Sequence, residues 1–177
     1  MAVQVRSPAP QFKAQAYLRT TEETRELALD DFKGRWLCLF FYPNDFSDLC
    51  PTELAAFQAA LAQFRQRGCE VLGCSCDSAY VHRAFCDSRE ELKTLAYPLL
   101  ADTTKRLALD YGVLLPERGV ALRGTFLIDP DGVVRWHAQY DLPVGRGTAE
   151  LLRVLDALQT EQPCPCNWEK GQATLKR

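Results

Sequence analysis

"FFYPNDFSDLCPTELAAF", residues 40–57, joins an apolar run to a helical pattern through a single cysteine. An apolar run ends at Pro43, a polar turn follows, and Cys50 stands immediately before Pro51. Proline suits the first turn of a helix, where its missing N–H would have had no partner. Leu54, Phe57, Leu61 and Phe64 then recur at helical spacing, and Gly68 closes the pattern. Upstream, "RWLCLFFYP" (35–43) is almost continuously apolar, as a strand buried on both faces must be. The stretch therefore reads as strand, turn and helix, with a cysteine at the junction.

Working outward, "CEVLGCS" (69–75) is a second strand and 78–92 a polar helix. "AYPLLAD" holds a short third strand, and 103–110 forms a short helix before Gly112. "RGTFLIDPDGVVRWHAQY" (123–140) is a pair of strands joined at the turn sequence "DPDG". "TAELLRVLDALQ" (148–159) is an amphipathic helix, and the segment after it has no periodicity. No element is assigned before Arg35. Strands alternating with helices predict an α/β sheet covered on both faces. The chain is expected to form one domain over 1–161, with residues 162–177 as a tail of the same unit.

Composition narrows the function. The chain has 177 residues and a formal net charge of −2, with no basic run interleaved with aromatics. Neither nucleic acid nor an anionic membrane surface is an expected partner. The N-terminus lacks a continuous apolar stretch, and no run reaches the roughly 20 residues needed to span a bilayer. A cytoplasmic location is expected. Eight cysteines occur, at 38, 50, 69, 74, 76, 86, 164 and 166. Without an export signal they point to packing, metal binding or redox chemistry rather than a disulfide framework. The absence of C-x-x-C argues against a thioredoxin-type reductase.

With Pro51 as the first helical residue, Cys50 would be the N-cap. Its sulfur would face free N–H groups and the positive end of the helix dipole. Both favour a thiolate, which is the nucleophilic form. Ser47 could donate to that sulfur or to a bound oxygen, and the rigid ring of Pro43 could shield it from water. Position alone fits a packed helix-start cysteine equally well.

The surrounding motifs carry a family resemblance. "FFYPNDFSDLCPTEL" resembles the active-site segment of typical two-cysteine peroxiredoxins, whose pattern P-x-x-x-[TS]-x-x-C is met by Pro43, Ser47 and Cys50. "ALRGTFLIDPDG" resembles the strand bearing that family's active-site arginine, here Arg123. "DLPVGRGTAELLRVLDALQ" resembles the segment with its second arginine, here Arg146, and "CPCNWEKGQATL" the segment with the resolving cysteine, here Cys164. The blocks keep the family's order over residues 5–176. "EELKTLAYPLLAD" and the C-x-C before "NW" are most like the alkyl hydroperoxide reductase C subunit, in particular the actinobacterial type.

The resemblance implies a thioredoxin-like fold, with a central mixed sheet flanked by helices and a C-terminal tail. It implies reduction of hydrogen peroxide and organic hydroperoxides through a Cys50 sulfenic acid, with no metal, haem or flavin cofactor. Arg123 would hold the thiolate and a peroxide oxygen, with Glu53 and Arg146 orienting it. Cys164 would resolve the sulfenic acid as an intersubunit disulfide, although the sequence fits an intrachain bond as well. It further implies a homodimer, a ring of about five or six dimers, and recycling by thioredoxin, a flavoprotein reductase or a small dithiol protein. A holdase chaperone and a peroxide-sensing thiol relay are the alternative functions. The "GGLG" and "YF" elements of eukaryotic-type members do not occur. Little would then hold the tail down, and Cys50 is expected to resist overoxidation.

The remaining residues receive plainer readings. Cys166 is expected to be an accessory thiol that substitutes for Cys164 or exchanges with the reductase; a spare surface thiol is the alternative. Leu72, Cys74 and Cys76 share a strand face and, like Cys38, read as core. A zinc site of Cys74, Cys76, Cys164 and Cys166 is disfavoured by its two C-x-C pairs, since structural zinc prefers wider spacing. His82 and His137 read as isolated surface or strand residues.

Overall fold

A computed structural model describes residues 3–175; Met1, Ala2, Lys176 and Arg177, at the extremes of the N-terminal stretch and the tail, lie outside. The strands are β1 (Lys13–Leu18), β2 (Glu23–Ala28), β3 (Trp36–Phe41), β4 (Cys69–Ser75), β5 (Leu99–Ala101), β6 (Leu114–Leu115), β7 (Val120–Ala121), β8 (Arg123–Ile128) and β9 (Val134–Tyr140). The α-helices are α1 (Cys50–Gln66), α2 (Ala79–Ser88), α3 (Arg106–Asp110) and α4 (Thr148–Gln159). One seven-stranded mixed sheet runs β2-β1-β5-β4-β3-β8-β9, and β6 and β7 form a separate small hairpin. Among the described residues no helix is long and apolar enough to cross a membrane.

Alternation along β3 builds two cores. Cys38, Phe40 and Tyr42 face a cluster formed with Leu54, Phe57 and Phe64 of α1 and Leu151 and Leu155 of α4. Leu37, Leu39 and Phe41 face the opposite cluster, with Leu72, Cys74, Tyr111 and Phe126. Because both faces are covered, β3 must be apolar at every position, and its side chains beyond Trp36 are buried. Phe40 and Phe57 stack with ring centroids 3.9 Å apart, fixing α1 on the sheet. Gly73 in β4 permits that packing: a Cβ there would lie 2.8 Å from Leu99 and 3.1 Å from Phe40. Gly68, with φ +62°, ends α1 as the spacing predicts.

The structure adds β1 and β2, which the sequence reading leaves unassigned. β2 is an edge strand whose first four residues are exposed, so apolar alternation is missing. It also shifts the start of α1. Leu49 is the N-cap, Cys50 the first helical residue and Pro51 the second.

The tail is held more firmly than its lack of periodicity suggests. Trp168 is buried, with its carbonyl accepting from Arg153 Nη1 at 3.1 Å. The Leu175 N–H donates to the Pro163 carbonyl at 2.9 Å. The premise that little holds the tail down is therefore corrected.

Removing the Phe57 ring leaves a cavity between α1 and β3. Phe57→Ala is expected to cost about 3–5 kcal/mol of stability, measured as the shift in urea midpoint at constant m-value.

Candidate active site

The register of the sheet assembles the site. β8 pairs antiparallel with β3, with Phe40 opposite Thr125. The start of β8 thus lies beside the end of β3, where the chain turns into α1. Arg123, the first residue of β8, meets the first turn of α1. Its Nη1 donates to Cys50 Sγ at 3.4 Å and also to Glu53 Oε2. Its Nε donates to the Leu142 carbonyl at 2.8 Å. Cys50, Glu53 and Arg123 are all buried.

Arg146 completes the cluster. Its backbone N–H and Nε donate to Glu53 Oε1 at 3.0 and 2.8 Å, and Nη2 donates to Oε2 at 3.1 Å. Nη1 donates to the Gly124 carbonyl at 3.0 Å and to Thr125 Oγ1 at 3.1 Å. The guanidinium also lies 5.2 Å from the Phe40 ring centroid and 5.8 Å from that of Phe57, so the core stack doubles as its platform. Burial would push the Glu53 carboxyl up, but the hydrogen bonds and charge of Arg146, with the charge of Arg123, hold it below its usual value. Two guanidinium groups and one carboxylate leave one positive charge uncompensated, and the Cys50 sulfur faces it.

Five residues singled out from sequence are joined here by hydrogen bonds: Ser47, Cys50, Glu53, Arg123 and Arg146. Pro43 is buried where the chain leaves β3. Ser47 departs from expectation. Its hydroxyl donates to the Asn44 carbonyl at 3.1 Å and accepts the Cys50 N–H at 3.3 Å, so its contact with Cys50 is with the backbone. Cys164 and Cys166 lie elsewhere, in an open cleft of about 650 Å³ against α4.

Of the other five thiols, four are buried in the core and Cys76 is half-buried against it. Burial pushes Cys38 and Cys86 up to about 12 and Cys76 up to about 11, and drives Cys69 and Cys74 well above the usual thiol value. They are poor nucleophiles at neutral pH. Among the described residues no group of three or more His, Cys, Asp or Glu could hold a metal ion, so the four-cysteine arrangement is not assembled.

His82 corrects the sequence reading: it is fully buried, not a surface residue. Its Nδ1 lies 2.7 Å from Asp45 Oδ2 and its Nε2 lies 3.0 Å from the Leu100 carbonyl. The Tyr42 hydroxyl donates to Asp45 Oδ1 at 2.8 Å, and the Asp45 N–H donates to Asp77 Oδ2 at 2.9 Å. This network ties the loop carrying Pro43 and Ser47 to α2 and β5. "NDF" alone holds no signal of it, because beyond the neighbouring Tyr42 its partners, Asp77 and His82, lie 32 or more residues away in sequence.

The profile of the AhpC/TSA family matches residues 5–137. The chain is 44% identical to a thioredoxin peroxidase of Echinococcus granulosus, covering 99% of this chain and 94% of the relative. The reduced 2-Cys peroxiredoxin of Plasmodium vivax superposes with a TM-score of 0.93 at 37% identity, covering 97% of this chain and 92% of that one. Mycobacterium tuberculosis AhpC superposes with a TM-score of 0.86 at 33% identity, covering 96% and 100%.

The charge cluster makes stability acid-sensitive in a defined direction. The folded value of Glu53 lies below its ordinary 4.5, so its contribution is complete above that pH and disappears as pH falls through the lowered value. Glu53→Gln is expected to flatten this acid limb. At neutral pH it should cost about 3–5 kcal/mol by leaving two buried guanidinium groups without a counter-charge. Urea midpoints measured from pH 3 to 7 test both.

Proposed function

This chain belongs to the AhpC/TSA family, and we propose that its peroxide chemistry runs through Cys50 as nucleophile and Cys164 as resolving thiol. Its fold is thioredoxin-like, and it is a peroxiredoxin, a thiol-dependent peroxidase. The observation that carries the residue assignment is the Arg123 contact with the Cys50 sulfur, at the start of α1 and above a buried cluster one negative charge short.

A Cys50 thiolate balances that charge. It attacks one peroxide oxygen, the O–O bond breaks, and the leaving oxygen takes a proton to depart as water or an alcohol. Nη2 of Arg123 takes part in none of the contacts described and is the donor available to a peroxide oxygen, while Nε and Nη1 fix the plane of the fork. Glu53 and Arg146 keep Arg123 in place. Ser47 acts by capping the Cys50 N–H, and Pro43 keeps the approach dry. Preorganisation of this kind supplies catalysis without a cofactor.

The Cys50 sulfenic acid then condenses with Cys164, across a subunit interface, to give a disulfide and water. An external dithiol protein reduces it: thioredoxin, a flavoprotein reductase or a small dithiol partner. Cys166, exposed in the same cleft, serves as an accessory thiol in that exchange. A homodimer, itself a unit of a ring, is supported by β9, a terminal strand of the sheet. A cytoplasmic setting completes the proposal.

One equivalent of hydrogen peroxide is expected to give a covalent dimer on a non-reducing gel. Cys50→Ser and Cys164→Ser should abolish it, and Cys166→Ser should keep it. Thiol loss without a dimer would instead indicate an intrachain bond or an external acceptor. Arg123→Gln is expected to slow the reaction of Cys50 with peroxide by about 10²–10³-fold, read by rapid mixing.

A further inference from the structure

Building on the two-cysteine cycle above, we propose that Asp156 and Lys170 are positioning residues for the resolving step. Their ion pair latches the tail onto α4 and sets how readily Cys164 departs to meet the oxidised Cys50.

Asp156 is buried on α4 and serves two partners. Arg67, just past the end of α1, grips it with Nε to Oδ1 at 2.9 Å and Nη2 to Oδ2 at 2.7 Å. Lys170 of the tail adds Nζ to Oδ1 at 2.9 Å. Burial opposes ionisation of Asp156, but hydrogen bonds from Arg67 and Lys170 outweigh it and hold the carboxyl below its usual value. The Arg67 contact fastens α4 to α1 and belongs to the fold. The Lys170 contact is separable: its side chain is 67% exposed and touches Asp156 from outside.

Cys164 is held at the same C-terminal end of that helix. Its sulfur lies 3.4 Å from Thr160 Oγ1, 3.5 Å from the Gln162 carbonyl and 3.9 Å from the Ala157 carbonyl. None of these groups touches the Cys50 cluster. A disulfide requires the two sulfurs at about 2.0 Å; Cys50 is fully buried and the Cys164 sulfur is packed against the end of α4, so in the proposed cycle the tail lifts from α4 before the bond forms. The S–S bond then forms as the S–O bond of the sulfenic acid breaks, and the hydroxyl leaves with the Cys164 proton as water. A second peroxide competes for the same sulfenic acid and converts it to sulfinic acid. The docked fraction of the tail therefore divides the flux between the two fates.

The test uses the full chain, mixed rapidly with hydrogen peroxide and quenched for gels and mass spectrometry. Lys170→Ala is expected to form the Cys50–Cys164 disulfide roughly two- to fivefold faster, the range set by a partly exposed ion pair. It should accumulate less Cys50 sulfinic acid and leave the first, peroxide-consuming step unchanged. Lys170→Arg, which keeps the charge, should restore wild-type behaviour. Added salt should speed resolution in the wild type but not in Lys170→Ala. Equal resolution rates and equal salt responses in wild type and Lys170→Ala would overturn the latch. Absence of the disulfide from every protein, wild type included, would overturn the cycle itself, so the two failures are distinguishable.

Discussion

The carboxylate of Glu53 is the constraint on which the site depends. It is buried, and it reaches Arg123 from the start of β8 and Arg146 from the segment before α4. Two regions distant in sequence are thereby fixed around the first turn of α1. Taking three charges out of water is costly unless geometry and hydrogen bonds compensate. Here every Arg146 nitrogen with a proton to give has an acceptor, and two aromatic faces lie beneath it. The cluster keeps one positive charge in excess, and Arg123 Nη1 lies 3.4 Å from the Cys50 sulfur. Electrostatics and fold therefore impose the same requirement.

That requirement explains why one part of the chain was legible and another was not. β3, the turn and α1 could be read because covering both faces of a strand forces a continuous apolar run, and because Pro51 and Gly68 mark the ends of a helix. β8, the turn at Gly132 and β9 followed from turn chemistry, and α4 from a clean apolar stripe. The family motifs brought in Arg123 and Arg146, whose meeting with Glu53 depends on strand register and is invisible to local pattern. β1 and β2 were missed because an edge hairpin needs little apolar alternation. His82 was misread for the opposite reason: a buried polar residue looks like a surface one until its partners are found. The tail was misread because one tryptophan and one lysine, rather than a periodic face, hold it in place.

Ser47 illustrates how a correct residue can be given the wrong contact. Sequence placed it near the sulfur as a donor. In the structure it replaces the capping side chain that Leu49 cannot supply, by accepting the Cys50 N–H. Its effect on Cys50 runs through the backbone angle at which α1 begins. The network of Tyr42, Asp45 and His82 braces the same turn from the other side.

The five core cysteines give the molecule a hidden liability. While the chain is folded, Cys38, Cys69, Cys74 and Cys86 are buried fillers and Cys76 is half-buried against the core. Once unfolded, they become ordinary thiols in a solution that contains peroxide. Each can then be oxidised or enter a wrong disulfide before the chain closes again. Where such oxidation outpaces refolding, unfolding becomes a one-way step, and working lifetime is then governed by how rarely the chain opens rather than by the depth of its equilibrium well.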